Sequence, residues 1–66
     1  MPRYFFNVHV DDHVARDPVG VELADLVEAI NQARTARAEI MNEDQLTELW
    51  LEIVDEAGLV LARVGA

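Results

Sequence analysis

The sequence predicts an α+β fold: a small β-β-α-β-β domain in which an antiparallel sheet carries one helix packed on one face. Three observations lead there. Residues 3–10, RYFFNVHV, are aromatic and β-branched and alternate with a period of two. Residues 25–42 place apolar side chains at spacings of three and four behind a capping pair, Asp25 and Glu28. Two apolar runs, 48–54 and 59–64, flank Asp55-Glu56-Ala57-Gly58, which has the chemistry of a hairpin turn.

The first strand puts Tyr4, Phe6, Val8 and Val10 on one face, expected to be the core face, and Arg3, Phe5, Asn7 and His9 on the other. Asp11-Asp12 is turn chemistry, because both carboxylates can bond nearby backbone amides. His13-Val14-Ala15-Arg16 then returns as a short edge strand. Asp17-Pro18-Val19-Gly20 ends it, since proline lacks an amide hydrogen and glycine permits positive φ. In the helix, Leu26, Ile30, Ala33, Arg37 and Ile40 form one stripe, widened by Ala29 and Met41. Glu28, Gln32, Thr35, Glu39 and Asn42 lie on the polar side. Arg37 interrupts the apolar stripe. It is expected to lay its stem on the core edge with its head in water, the alternative being an ion pair with a specific carboxylate.

In the closing hairpin a type I turn followed by glycine in a left-handed bulge places Ile53 opposite Leu61 and Val54 opposite Val60. Leu49, Leu51, Ile53, Leu59 and Leu61 then share one face, and Trp50, Glu52, Val54, Val60 and Ala62 the other. Both faces are apolar, yet a single helix covers only one. The leucine-isoleucine face suits the helix, leaving Phe5, Trp50, Val54, Val60 and Ala62 as a candidate interface. With strands numbered along the chain, the order 2-1-3-4 keeps every neighbour antiparallel. An order with the fourth strand beside the first makes that pair parallel, and both stay open.

The chain has 66 residues and is expected to form one domain over residues 1–66. Domains of this size are marginal, and a second chain is a common source of added stability. Cysteine is absent, which removes disulfides and thiolate metal sites. Thirteen acidic residues face five basic ones, all arginine, for a net charge of −8. Such a surface repels phosphate backbones and anionic lipid, so neither nucleic acid nor membrane is an expected partner. No run approaches the length of a membrane helix and no signal peptide is visible, so a cytoplasmic location is expected.

His9-Val10-Asp11-Asp12-His13 concentrates potential metal ligands. In an extended strand His9, Asp11 and His13 sit almost seven ångströms apart, about twice the strand rise, too far for one ion. A turn at Asp11-Asp12 would bring the two histidines closer, but an exposed hairpin tip is the plainer expectation, and no cofactor is expected. Catalysis has little support either. Serine and cysteine are both absent, Gly20 stands alone rather than in a phosphate-binding loop, and one helix on a small sheet leaves little room for a pocket that tunes a carboxylate pair. A non-enzyme is expected.

Met1-Pro2-Arg3-Tyr4-Phe5-Phe6, then Asp17-Pro18-Val19-Gly20-Val21-Glu22-Leu23 ahead of the helix, then Val54-Asp55-Glu56-Ala57-Gly58, occur in this order over nearly the whole chain. In this the sequence resembles a family of small proteobacterial domains of unknown function found in rhizobia and their relatives. These start MPRYFF or similarly, carry D-x-x-G-x-E-L before a helix and end in a hairpin. Members often have a His-Asp-Gly turn after the first strand, and this chain lacks that glycine. The resemblance implies no activity and assigns no residue a role. The expected function is a non-catalytic accessory module that forms a homodimer or binds another protein. The alternatives are an antitoxin-like or regulatory domain masking a basic partner, distantly similar to HicB-type antitoxin domains, and a metal-binding protein using His9, Asp11 and His13.

Overall fold

The computed structural model describes residues 1–44 and 48–65. Its elements are β1 (Arg3–Val10), β2 (His13–Ala15), β3 (Val21–Glu22), α1 (Leu26–Asp44), β4 (Leu49–Val54) and β5 (Val60–Val64). They form an antiparallel sheet ordered β2-β1-β4-β5, with β3 also paired to β1 and α1 on one face. This is the order that keeps all neighbours antiparallel. The addition to the expected fold is β3. Both β2 and β3 lie along the same side of β1: Val8 faces Ala15, and Tyr4 faces Val21. They are two pieces of one edge strand, separated by a loop at 16–20.

That loop is held by a carboxylate. Asp17 Oδ2 accepts the Phe6 backbone N–H at 3.2 Å, where a strand partner would otherwise do so. Its Oδ1 accepts the N–H groups of Val19 at 3.1 Å and Gly20 at 3.0 Å. Pro18, without an N–H, leaves no donor to satisfy at that position. Gly20 has φ +77, and a Cβ there would lie 2.9 Å from both Arg3 Cγ and Phe5 Cε2. Only glycine combines that backbone with so close an approach. Arg3 reinforces the arrangement, donating to Val19 O at 3.0 Å and pairing with Glu22 at 2.9 Å.

Between β1 and β2 the turn is two residues long, and Asp11 takes φ +50. Aspartate tolerates the left-handed region better than most side chains, so the turn closes without glycine. The helix begins as expected. Glu28 N–H donates to Asp25 Oδ1 at 2.9 Å, while Glu28 Oε2 accepts the N–H of Ala24 at 3.3 Å, one residue earlier than the usual reciprocal partner.

α1 packs chiefly on β4 and β5. Ala29 and Ala33 are fully buried, and their small side chains let the helix approach the sheet closely. Beneath them lie Leu49, Leu51 and Ile53, none more than 2 % exposed, each worth roughly 1.5–3 kcal/mol by burial. Tyr4, Leu23 and Val64 complete the buried cluster, with Phe6, Val8 and Val10 packed against it. Arg37 makes a contact that neither expectation included: its Nε donates to the Leu49 carbonyl at 2.7 Å, and the side chain lies against Gly65. It caps a strand end while staying partly exposed, and it pairs with no carboxylate among the described residues.

The β4–β5 turn has the expected geometry. Gly58 N–H donates to Asp55 O at 3.0 Å, Asp55 N–H donates to Leu59 O at 3.0 Å, and Gly58 has φ +86. Val54 faces Val60 as expected, but a second irregularity between Ile53 and Val54 sets Ile53 opposite Ala62, not Leu61. Ala62 therefore shares the helix-facing side with Ile53 and packs against the core, and Leu61 is the extra residue. Leu59, expected in the core, stands beside the turn and is exposed.

Candidate functional site

The sheet face opposite the helix is ordered in cross-strand rows. Directly paired residues of antiparallel strands share a face, so Val14, His9 and Trp50 form one row across β2, β1 and β4. Asn7, Glu52 and Arg63 form the next across β1, β4 and β5, and Phe5, Val54 and Val60 the third. A row with two charged residues thus separates two mostly apolar rows, in which His9 is the one polar side chain.

In the first row the His9 and Trp50 rings stack, with centroids 3.8 Å apart and planes 8° from parallel. Arg63, diagonal to Trp50, places its guanidinium carbon 5.7 Å from the indole centroid, within cation–π range. His9 Nε2 is buried without a hydrogen-bond partner among the described residues, and its nearest carboxylate oxygen, Glu52 Oε1, is 3.8 Å away. Trp50 is therefore flanked by an imidazole and a guanidinium and is only half-buried.

The central row is anchored to the edge loop. Asn7 is buried, its Nδ2 donating to Glu52 Oε1 at 3.3 Å and its Oδ1 accepting the Asp17 N–H at 3.1 Å. Partial burial pushes the Asp17 carboxyl up, but the N–H groups of Gly20, Phe6 and Val19 outweigh it and hold the group below its ordinary value. Asp17 organises the loop as an anion, and the loop in turn fixes Asn7 under Glu52.

Of the expected interface residues, Trp50, Phe5, Val54 and Val60 lie on this face, whereas Ala62 faces the helix. Val60 is exposed and Phe5 half-buried against Gly20, but Val54 is only 8 % exposed and is not offered to solvent as expected. The candidate metal ligands are parted by the same register. His9 faces Val14 on the outer side, and His13 faces Val10 on the inner side, leaving Asp11 at the exposed tip between them. Among the described residues no three such side chains converge on an ion-sized site. Sequence reasoning passed over Asn7 and Asp17. A signal for Asp17 was present, because aspartate two and three residues ahead of free amides, with glycine closing the loop, is the pattern of a side chain that caps its own turn.

Among the described residues, no helix is long and apolar enough to cross a membrane. Neither the curated proteins nor the solved structures contain a match to this chain. A family model does match, described as a domain of unknown function, DUF6894, over residues 3–65. That span takes in every element from β1 to the end of β5, and the chain belongs to the DUF6894 family.

Proposed function

We propose that the domain is a non-catalytic binding module that assembles as a homodimer through the outer face of its sheet. The observation that carries this reading is the sequence of rows, with the charged Glu52 and Arg63 between the half-buried Trp50 on one side and Phe5 and the exposed Val60 on the other. A two-fold axis parallel to the strands, between β4 and β5, lays each row of one chain against the same row of the other, so that apolar meets apolar. The central rows then face each other, bringing Glu52 of one chain toward Arg63 of the other. One patch used twice in this way is the commonest oligomer interface. A stable interface of about 800 Å² per partner would take under a fifth of the 4451 Å² surface of the chain. It would also supplement a core limited by chain length. Trp50, pre-ordered by His9 and Arg63, is the anchor whose loss costs most, since little side-chain entropy remains to be lost on binding.

Sedimentation equilibrium up to millimolar concentration tests the reading. The wild-type chain is expected to dimerise and Trp50→Glu to remain monomeric with its circular dichroism unchanged. A wild-type chain that stays monomeric throughout, or a Trp50→Glu variant that associates as strongly, would overturn it.

A further inference from the structure

We propose that the cleft between α1 and the inner side of β1 is a docking groove for a basic amphipathic helix of a partner protein. The groove has a volume of about 220 Å³. Phe6, Val8 and Leu51 form its floor, Val21 one wall, and Ala36 and Ile40 the other. It lies inside the fold's own apolar layer, yet it is open: Val21 is 41 % exposed, and Phe6, Val8 and Ile40 are only half-buried. Its volume falls below the roughly 300–1,000 Å³ of sites that enclose small molecules. It suits one or two anchor side chains from a larger ligand.

The rim determines the charge of that ligand. Gln32 and Ala36 belong both to the groove and to a shallow polar furrow on α1 that also contains Glu28, Thr35 and Glu39. Both glutamates are exposed. Arg34 is about 200° around the helix from Gln32, on the far flank, and Arg37 is turned to the Leu49 carbonyl. The groove side of α1 therefore carries negative charge with no arginine of the helix beside it, on a chain of net charge −8. An apolar slot with an acidic shoulder complements a helix with apolar anchors at three- and four-residue spacing and lysine or arginine alongside. Strand addition is the less suitable mode. The edge formed by β2 and β3 is broken by the loop at 16–20, whose Asp17 already occupies the free Phe6 N–H.

This inference is independent of the dimer, which uses the opposite face. Its test is an NMR titration of the isotope-labelled full chain with three synthetic helices: leucine anchors with lysines, serines replacing the leucines, and glutamates replacing the lysines. The leucine–lysine peptide is expected to shift Val8, Val21, Ala36 and Ile40 and to bind at least about tenfold more tightly than either control. Gln32→Arg with Glu39→Arg is expected to weaken it by about tenfold or more. Both positions are exposed, and the Asp25–Glu28 cap is left intact. Ala36→Leu, which fills the groove without changing charge, is expected to weaken it as well, and Trp50→Glu to leave it unchanged. Absence of binding, equal binding of the serine peptide, or shifts confined to the outer face would overturn the proposal. Groove resonances that move with the chain's own concentration, without peptide, would replace the partner helix by a second copy and likewise overturn it.

Discussion

Replacing Asp17 by alanine removes the group that substitutes for a missing stretch of edge strand. The half-buried N–H of Phe6 loses its acceptor, at a cost of about 1–3 kcal/mol for an unsatisfied donor. The amides of Val19 and Gly20 lose their shared oxygen, a loss comparable to a helix N-cap at about 1 kcal/mol. The expected total is about 2–4 kcal/mol, against a whole-domain stability on the order of 3–10 kcal/mol for this length. At about 4–8 °C per kcal/mol in a domain of this size, the melting temperature falls by roughly 10–30 °C. Asp12→Ala, at the exposed turn, is expected to stay within about 0.5 kcal/mol. The two are compared by thermal and urea unfolding at neutral pH. The carboxyl of Asp17 is held below its ordinary value in the folded chain, so the unfolded chain binds the proton more readily. Its contribution is complete above the unfolded value of about 3.9 and is lost as pH falls through the lower, folded one. Asp17→Asn should therefore flatten the acid limb of the stability curve. A melting temperature for Asp17→Ala matching that of Asp12→Ala would refute the account of the loop, and an unchanged acid limb would refute the account of the charge.

Gly58→Ala meets no atom within 4 Å, so its penalty is the positive φ alone, about 1 kcal/mol. Gly20→Ala adds contact with Arg3 and Phe5 and should lower the urea midpoint further than Gly58→Ala does. Arg37→Met keeps the apolar stem but leaves the buried Leu49 carbonyl without its donor. Calorimetry should show a loss of about 1–2 kcal/mol. Asp25→Ala removes the acceptor of the Glu28 N–H and should cost about 1 kcal/mol. A double-mutant cycle with Glu28→Ala would measure how far the two halves of the cap depend on each other.

What could be read from the sequence was local. The strand 3–10, the Asp25 cap and the turn at 55–58 each follow from short-range chemistry, and each lies where that chemistry puts it. Errors arose where one residue of register or one long-range bond decided the outcome. The irregularity after Ile53 moves Ala62 to the helix side, and period-two reasoning cannot detect an inserted residue. Val21–Glu22 is too short to read as a strand, and it reaches β1 across a loop that Asp17 and Arg3 hold back against it. Arg37 looked anomalous on an apolar stripe because its partner is a backbone carbonyl twelve residues away in sequence, and backbone partners carry no residue code.

The two open surfaces have one geometric cause. Strands lie about 4.8 Å apart, and a helix with its side chains is about 10 Å across, so one helix covers about two strands. Here α1 lies chiefly over β4 and β5, while the sheet continues through β1 to β2. The inner side of β1 is therefore covered only along one margin. There Phe6, Val8 and Val21 meet Ala36 and Ile40 across the groove. Among the described residues the outer side receives no helix, and its partial cover is the loop at 16–20, pinned by Asp17 beside Phe5 and Asn7. Cover on that side reaches the Phe5 end of the rows and stops short of Trp50, whose neighbours are His9 and Arg63. A longer or second helix would close the groove, and a longer edge loop would bury the tryptophan. With one of each the chain folds with an apolar surface left over on both sides of the sheet. The two differ in rim charge: acidic glutamates of α1 beside the groove, and a Glu52–Arg63 pair of opposite signs on the outer face. That difference in rim charge is the ground for proposing a basic ligand at the groove and a second copy of the chain at the outer face.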